Sequence, residues 1–163
     1  MWMLTWFVLY RPSPTTLHVW RRFLLRAFGA RVGKHTHPYP AARIWAPWNL
    51  VMEEGSCLGN GCDCYNVAPV ILGRYAVVSQ RAFLCTAGHA INRPGFELTT
   101  APIAIKAGAW VGAAAYVGPG VTMHERAVAG ACAVVTKDVN AGDVVAGNPA
   151  RAVARRHSGD TTV

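Results

Sequence analysis

The stretch IKAGAWVGAAAYVGPGVT, residues 105 to 122, decides how the chain folds. Its large aliphatic residues Ile105, Val111 and Val117 recur every sixth position, a spacing that fits neither the 3.6-residue period of a helix nor the simple alternation of a long strand. Four residues after each stands a small side chain, Ala109, Ala115 and Val121. A short strand followed by a tight turn explains both regularities.

The register extends outward in both directions. Leu58, Cys64, Leu72, Val78 and Leu84 precede it, Met123, Ala129 and Val135 follow it, and all are apolar. Four residues on from these lie Cys62, Ala68, Ala76, Ala82, Gly88, Ala127, Ala133 and Val139, all small. Glycine follows the apolar position at 59, 73, 112, 118 and 130, where a tightly turning chain is expected to need unusual dihedrals. Repeats of this kind stack coil on coil, with the large residue inside and the small one at a corner. The expected fold is therefore an all-β solenoid. For its hand, the general rule for parallel crossovers favours a right-handed path.

The period breaks in two places. Two extra residues separate Cys64 from Leu72, which predicts a bulge near Asn66. Leu84 and Ile105 stand 21 residues apart, and within that interval HAINRPGFELTTAP is turn-forming and polar enough to be an extruded loop, residues 90–101. His89 stands at its base. An imidazole after an apolar strand is either a satisfied structural residue or a proton acceptor.

Upstream of the repeats, TTLHVWRRFLLRAF, residues 15 to 28, has helical apolar spacing and Gly29 as a stop. The opening MWMLTWFVLY is apolar for ten residues, too short to span a bilayer. It lacks the cationic start and small-residue cleavage site of a secretory leader. The predicted organisation is an apolar segment and amphipathic helix over 1–30, a β-helix over 31–150, and a tail over 151–163. With an odd count of five cysteines, a reducing compartment is expected. The chain is expected in the cytoplasm, with the inner face of the membrane as the alternative. Cys57, Cys62 and Cys64 lack paired zinc-ribbon spacing and read as buried thiols.

Lys and Arg outnumber Asp and Glu by 16 to 8, which calls for an anionic partner. These cations are scattered rather than run together as in a nucleic-acid arm, so no nucleic acid is expected. A three-histidine zinc site is excluded, because only His89 and His124 lie within the repeats.

The string of aliphatic-Gly hexapeptides, ending in VVTKDVNAGDVVAGNPARAV, resembles the hexapeptide-repeat acyltransferases. The segments FGARVG, APWNLVMEEGSCLG, YNVAPVILG, SQRAFLCTAGH, APIAIKAGAWVGAAAYVGPGVT and AGNPARAV are similar to the sugar O-acetyltransferases of the colanic-acid and exopolysaccharide type. The resemblance covers about residues 23 to 155 and implies a left-handed parallel β-helix, acetyl-CoA as co-substrate with no metal, and a homotrimer with sites between subunits. It implies His89 as general base, Trp110 beside the CoA arm, Ala113 as an oxyanion donor through its main-chain N–H, and Ala131 against the pantetheine. Thr136, Lys137 and Arg151 are implied near the nucleotide and its phosphates.

On the acceptor side, a sugar or lipid-linked oligosaccharide is expected. Asn66 is positioned either to bond sugar hydroxyls or to serve as a turn residue. Trp45 and Trp48 suit either a sugar face or a plug for the end of the solenoid. The N-terminal helix either caps the first coil or touches a membrane surface. O-transfer to a sugar is the expected reaction, with N-transfer to an amino sugar and a non-catalytic binding solenoid as the alternatives.

Overall fold

The computed structural model describes residues 1–156. Stacked coils form a three-sided prism, each full coil giving one short strand to each of three parallel sheets. The first sheet holds Arg31–Val32, Leu50–Met52, Val70–Leu72, Ile103–Ile105 and Thr122–Met123. The second runs from His37–Pro38 through Cys57–Leu58, Val77–Val78, Trp110–Val111 and Val128–Ala129 to Asp143–Ala146. Arg43–Ile44, Asp63–Tyr65, Phe83–Cys85, Tyr116–Val117 and Val134–Val135 make the third.

The residues chosen by the six-residue period are all buried, and they line the single core that runs the length of the prism. Sequence reading began that list at Leu58, yet an earlier coil buries Val32, Pro38, Ile44 and Met52 in the same way. Pro38 is an unusual residue for a strand, and the step from Ile44 to Met52 is lengthened, so the period is hidden there.

Coil length varies with the insertions. Arg31 pairs with Val51 and Val51 with Ile71, 20 residues per coil, whereas Ala104 pairs with Thr122 after 18. Between Ile71 and its partner Ala104 the coil takes 33 residues. The excess is the extruded segment, and it is more regular than a loop. Ala87–His89 and Leu98–Thr100 pair antiparallel as a hairpin, with His89 opposite Leu98. Gly88 is therefore a hairpin residue and Ala68 is only half-buried beside the two-residue insertion. Neither is a buried corner, which corrects two of the expected small positions.

The role expected of the glycines also changes. Those at 59, 73, 112, 118 and 130 have ordinary dihedrals; the left-handed residues lie two positions further on, as at Tyr75, Ala114 and Cys132. Glycine is required at 112 because a Cβ there would come within 2.7 Å of Ala129 O in the next coil. Close approach of backbone to backbone selects it.

Both ends of the prism are covered. A helix over Trp2–Thr5 continues as one π-helical stretch, Trp6–Tyr10, and a second helix spans His18–Ala27 until Gly29, at φ +90°, ends it. Trp2 and Trp6 donate their indole N–H groups to Ile44 O (2.6 Å) and Ala42 O (2.8 Å), which fixes the helices as a cap on the first coil. Buried Arg21 ties the cap down by donating to Pro38 O, Pro14 O and Ser13 Oγ. At the other end, the expected tail is partly structured. Arg151–Arg155 folds back antiparallel on Asp143–Ala146, while residues 157–163 lie outside the described residues.

Candidate active site

His89 emerges where the third sheet turns toward the first. The preceding corner is pegged by polar side chains stacked coil over coil. Asn66 is fully buried, with its amide accepting from Ala46 N (2.9 Å) and donating to Ala46 O (2.7 Å). Thr86 donates to Tyr65 O and accepts from Ala68 N, both at 3.0 Å. These bonds hold the chain just before the hairpin leaves the prism. Of the two roles open to Asn66 these bonds favour the turn, because its side chain is spent on Ala46 and is fully buried.

The imidazole itself is exposed. Its ring lies flat on Phe96, 4.4 Å between centroids and 6° between planes, and its Nδ1 is 2.8 Å from Phe96 O. A carbonyl can only accept, so Nδ1 carries the proton and the lone pair of a neutral ring sits on Nε2. Phe96 can offer both groups because it adopts a left-handed φ of 46° at the hairpin tip. Sequence reading missed this orienting contact.

Two hollows lie elsewhere on the prism. One, about 480 Å³, lies at the edge between the second and third sheets, lined by Asn60, Gln80, Arg81, Ala113, Ala131 and Cys132. Ala113 and Ala131 line it together, and Arg81 adds a cation that the sequence did not single out. Trp110 stands half-exposed on the second sheet, its indole N–H donating to Ser79 Oγ (2.8 Å) in the residue before Gln80. The other hollow is a narrow crevice where Thr136, Lys137 and Arg151 come together. It follows the strand Val134–Val135, at the same turn from third to first sheet as His89 but on a later coil. The residues that the resemblance assigns to CoA are therefore divided, Ala113 and Ala131 at one edge and Thr136, Lys137 and Arg151 at another.

Of the three thiols expected to be buried, Cys57 is only half-buried. Cys62 and Cys64 are buried, and burial pushes their thiols well up; Cys57 is raised to about 11 by the same cause. Cys132 alone is exposed.

A known sequence decides the family. WcaF of Escherichia coli strain K12, which carries the name colanic acid biosynthesis acetyltransferase, is 33% identical over 156 residues, 96% of this chain and 86% of its own. The chain belongs to the colanic-acid type of hexapeptide-repeat acetyltransferases. The galactoside O-acetyltransferase of the same organism is 31% identical over 82% of this chain and 67% of its own. No protein-family model matches. Among solved structures, the Vibrio cholerae hexapeptide-repeat acetyltransferase VCA0836 in complex with acetyl-CoA superposes with a TM-score of 0.81. It covers 94% of this chain and 82% of its own at 22% identity. The fold of this hexapeptide-repeat acetyltransferase is the left-handed parallel β-helix. The hand that the general crossover rule favours is overridden.

Proposed function

We propose that the protein transfers an acetyl group from acetyl-CoA to a sugar hydroxyl in the synthesis of a cell-surface polysaccharide, with His89 as general base. The observation that carries this reading is the bond from Nδ1 to Phe96 O, which leaves Nε2 free at an exposed site. The names of WcaF and of the galactoside enzyme support it. Nε2 takes the proton of the acceptor hydroxyl as its oxygen attacks the thioester carbonyl. The imidazolium then returns that proton to the departing CoA thiolate. Ala113 N–H is the donor we assign to the oxyanion. The hollow holding Ala113 and Ala131 suits a slender pantetheine, and Arg81, Lys137 and Arg151 suit phosphates. Residues 90–97 at the hairpin tip supply a wall for the acceptor.

The division of these residues between two edges supports a homotrimer in which one subunit's His89 faces the next subunit's hollow. Sugar or lipid-linked oligosaccharide is the acceptor class. His89→Ala is expected to lower acetyl transfer at least about a hundredfold while leaving the fold intact. Near-normal turnover of labelled acetyl-CoA by the variant, or transfer to amino sugars in preference to hydroxyls, overturns the assignment.

A further inference from the structure

The cap leaves unpartnered an apolar surface that the acetyl-transfer site does not use. Its first helix is apolar on every side. Trp2 and Tyr10 are buried against the coil, yet Leu4 is 70% and Phe7 63% exposed, with Met3, Val8 and Leu9 also exposed. A helix hydrophobic all round is expected to be covered all round. The second helix extends the surface. Trp20 donates its indole N–H to Leu9 O (3.0 Å) and stacks on Phe23, which is 58% exposed. On the far side, Met1 and Met3 join Trp45 and Trp48 around a hollow of about 380 Å³.

The charge of the cap itself has one sign, since residues 1–30 hold Arg11, Arg21, Arg22 and Arg26 and no acidic residue. Seven Lys and Arg precede the first acidic residue, Glu53. Arg43 among them is paired with Asp63 Oδ2 at 3.6 Å, whereas no ion pair is seen for Arg11, Arg22 or Arg26 among the described residues. Arg11 lies 5.5 Å from the Trp6 ring centroid and 6.0 Å from that of Phe7, Arg22 donates to Thr36 O, and Arg26 to Val32 O. Exposed Leu and Phe with Arg11 at their rim, on a cap that carries only positive charge, match the interface of an anionic bilayer, apolar side chains entering the acyl boundary and guanidinium groups meeting phosphates.

We infer that the helical cap docks the protein on an anionic lipid surface through Leu4, Phe7 and Phe23, with Arg11 at the rim. The binding is peripheral, since among the described residues no helix is long and apolar enough to cross a membrane.

The test uses the full chain with vesicles of phosphatidylglycerol and phosphatidylcholine in about equal parts, and with phosphatidylcholine alone. Co-sedimentation with the anionic vesicles is expected, with a blue shift of tryptophan emission, and raising salt to about 0.5 M should weaken it at least about tenfold. Leu4→Glu/Phe7→Glu/Phe23→Glu should weaken binding by a similar factor or more, with unchanged melting temperature and oligomer mass. Failure of the wild type to sediment with anionic vesicles at low salt overturns the inference. So does equal binding to phosphatidylcholine alone. A fall in oligomer mass in the variant also overturns it, by making the surface a contact between copies of the chain.

Discussion

His89 is oriented by a carbonyl and not by a carboxylate. The Phe96 oxygen fixes the tautomer and the ring plane without itself placing a negative charge beside the imidazole. His89 itself was legible from the sequence, because it ends an apolar repeat at the root of an insertion. Phe96 was not, since its contact depends on the pairing of His89 with Leu98, and cross-strand register leaves no mark on a single strand's composition. Which of its two roles Asn66 takes was hidden for a related reason. A turn asparagine and a surface asparagine look alike until the partner coil brings Ala46 against it. A further consequence belongs to Tyr10, whose buried hydroxyl has no hydrogen-bond partner among the described residues. Burial raises its pKa far above the usual range, so the group stays neutral. Tyr10→Phe should raise stability by about 1 kcal/mol, because the unbonded hydroxyl is removed and the ring stays. Thermal unfolding measures this, and a lower melting temperature would show that the hydroxyl has a partner.

Elements of the coil obey a stricter rule than their composition suggests. The strands could be placed from the period alone, but the glycines were assigned the wrong cause, because a sequence shows neighbours along the chain and not those one coil above. The distance from a Cβ at 112 to Ala129 O makes the difference testable. Gly112→Ala should cost about 1–3 kcal/mol through overpacking against main chain that cannot yield. Denaturant titration should show the loss as a lower midpoint. The second helix carries a different sensitivity. Burial lowers the pKa of His18 from its ordinary value, the Pro38 carbonyl partly offsets this, and the Arg21 guanidinium adds to it. A base with a depressed folded pKa binds its proton better when unfolded. The penalty is therefore absent above about pH 6.5 and grows as pH falls through that value. Melting temperature should drop between about pH 7 and pH 5, and His18→Gln should flatten the drop. An unchanged slope in the variant would move the effect to other groups.

Across the whole molecule, the proposed arrangement makes a quantitative demand. If each site takes His89 from one subunit and the Arg81–Ala131 hollow from the next, His89→Ala and Ala131→Trp should each be inactive alone. Refolded together in equal amounts, about one quarter of the sites would pair two intact halves, and about that fraction of wild-type activity should return. No recovery would place both halves in one chain. Architecture at this scale was largely legible, since a six-residue period admits few alternatives, while the paired hairpin and the C-terminal strand were not, because both depart from it. That departing strand has a physical consequence of its own. A stack of parallel strands presents the same unsatisfied main chain at each end that a growing fibril presents to the next monomer. Here Arg151–Arg155 runs antiparallel to Asp143–Ala146, and Val134 finds its partners in Gly147 O and Ala150 N, so the last coil offers no template in register with the first. The helical cap closes the opposite end. The solenoid has the geometry of a filament, and the antiparallel course of its last described strand breaks the parallel register that a further coil would have to continue.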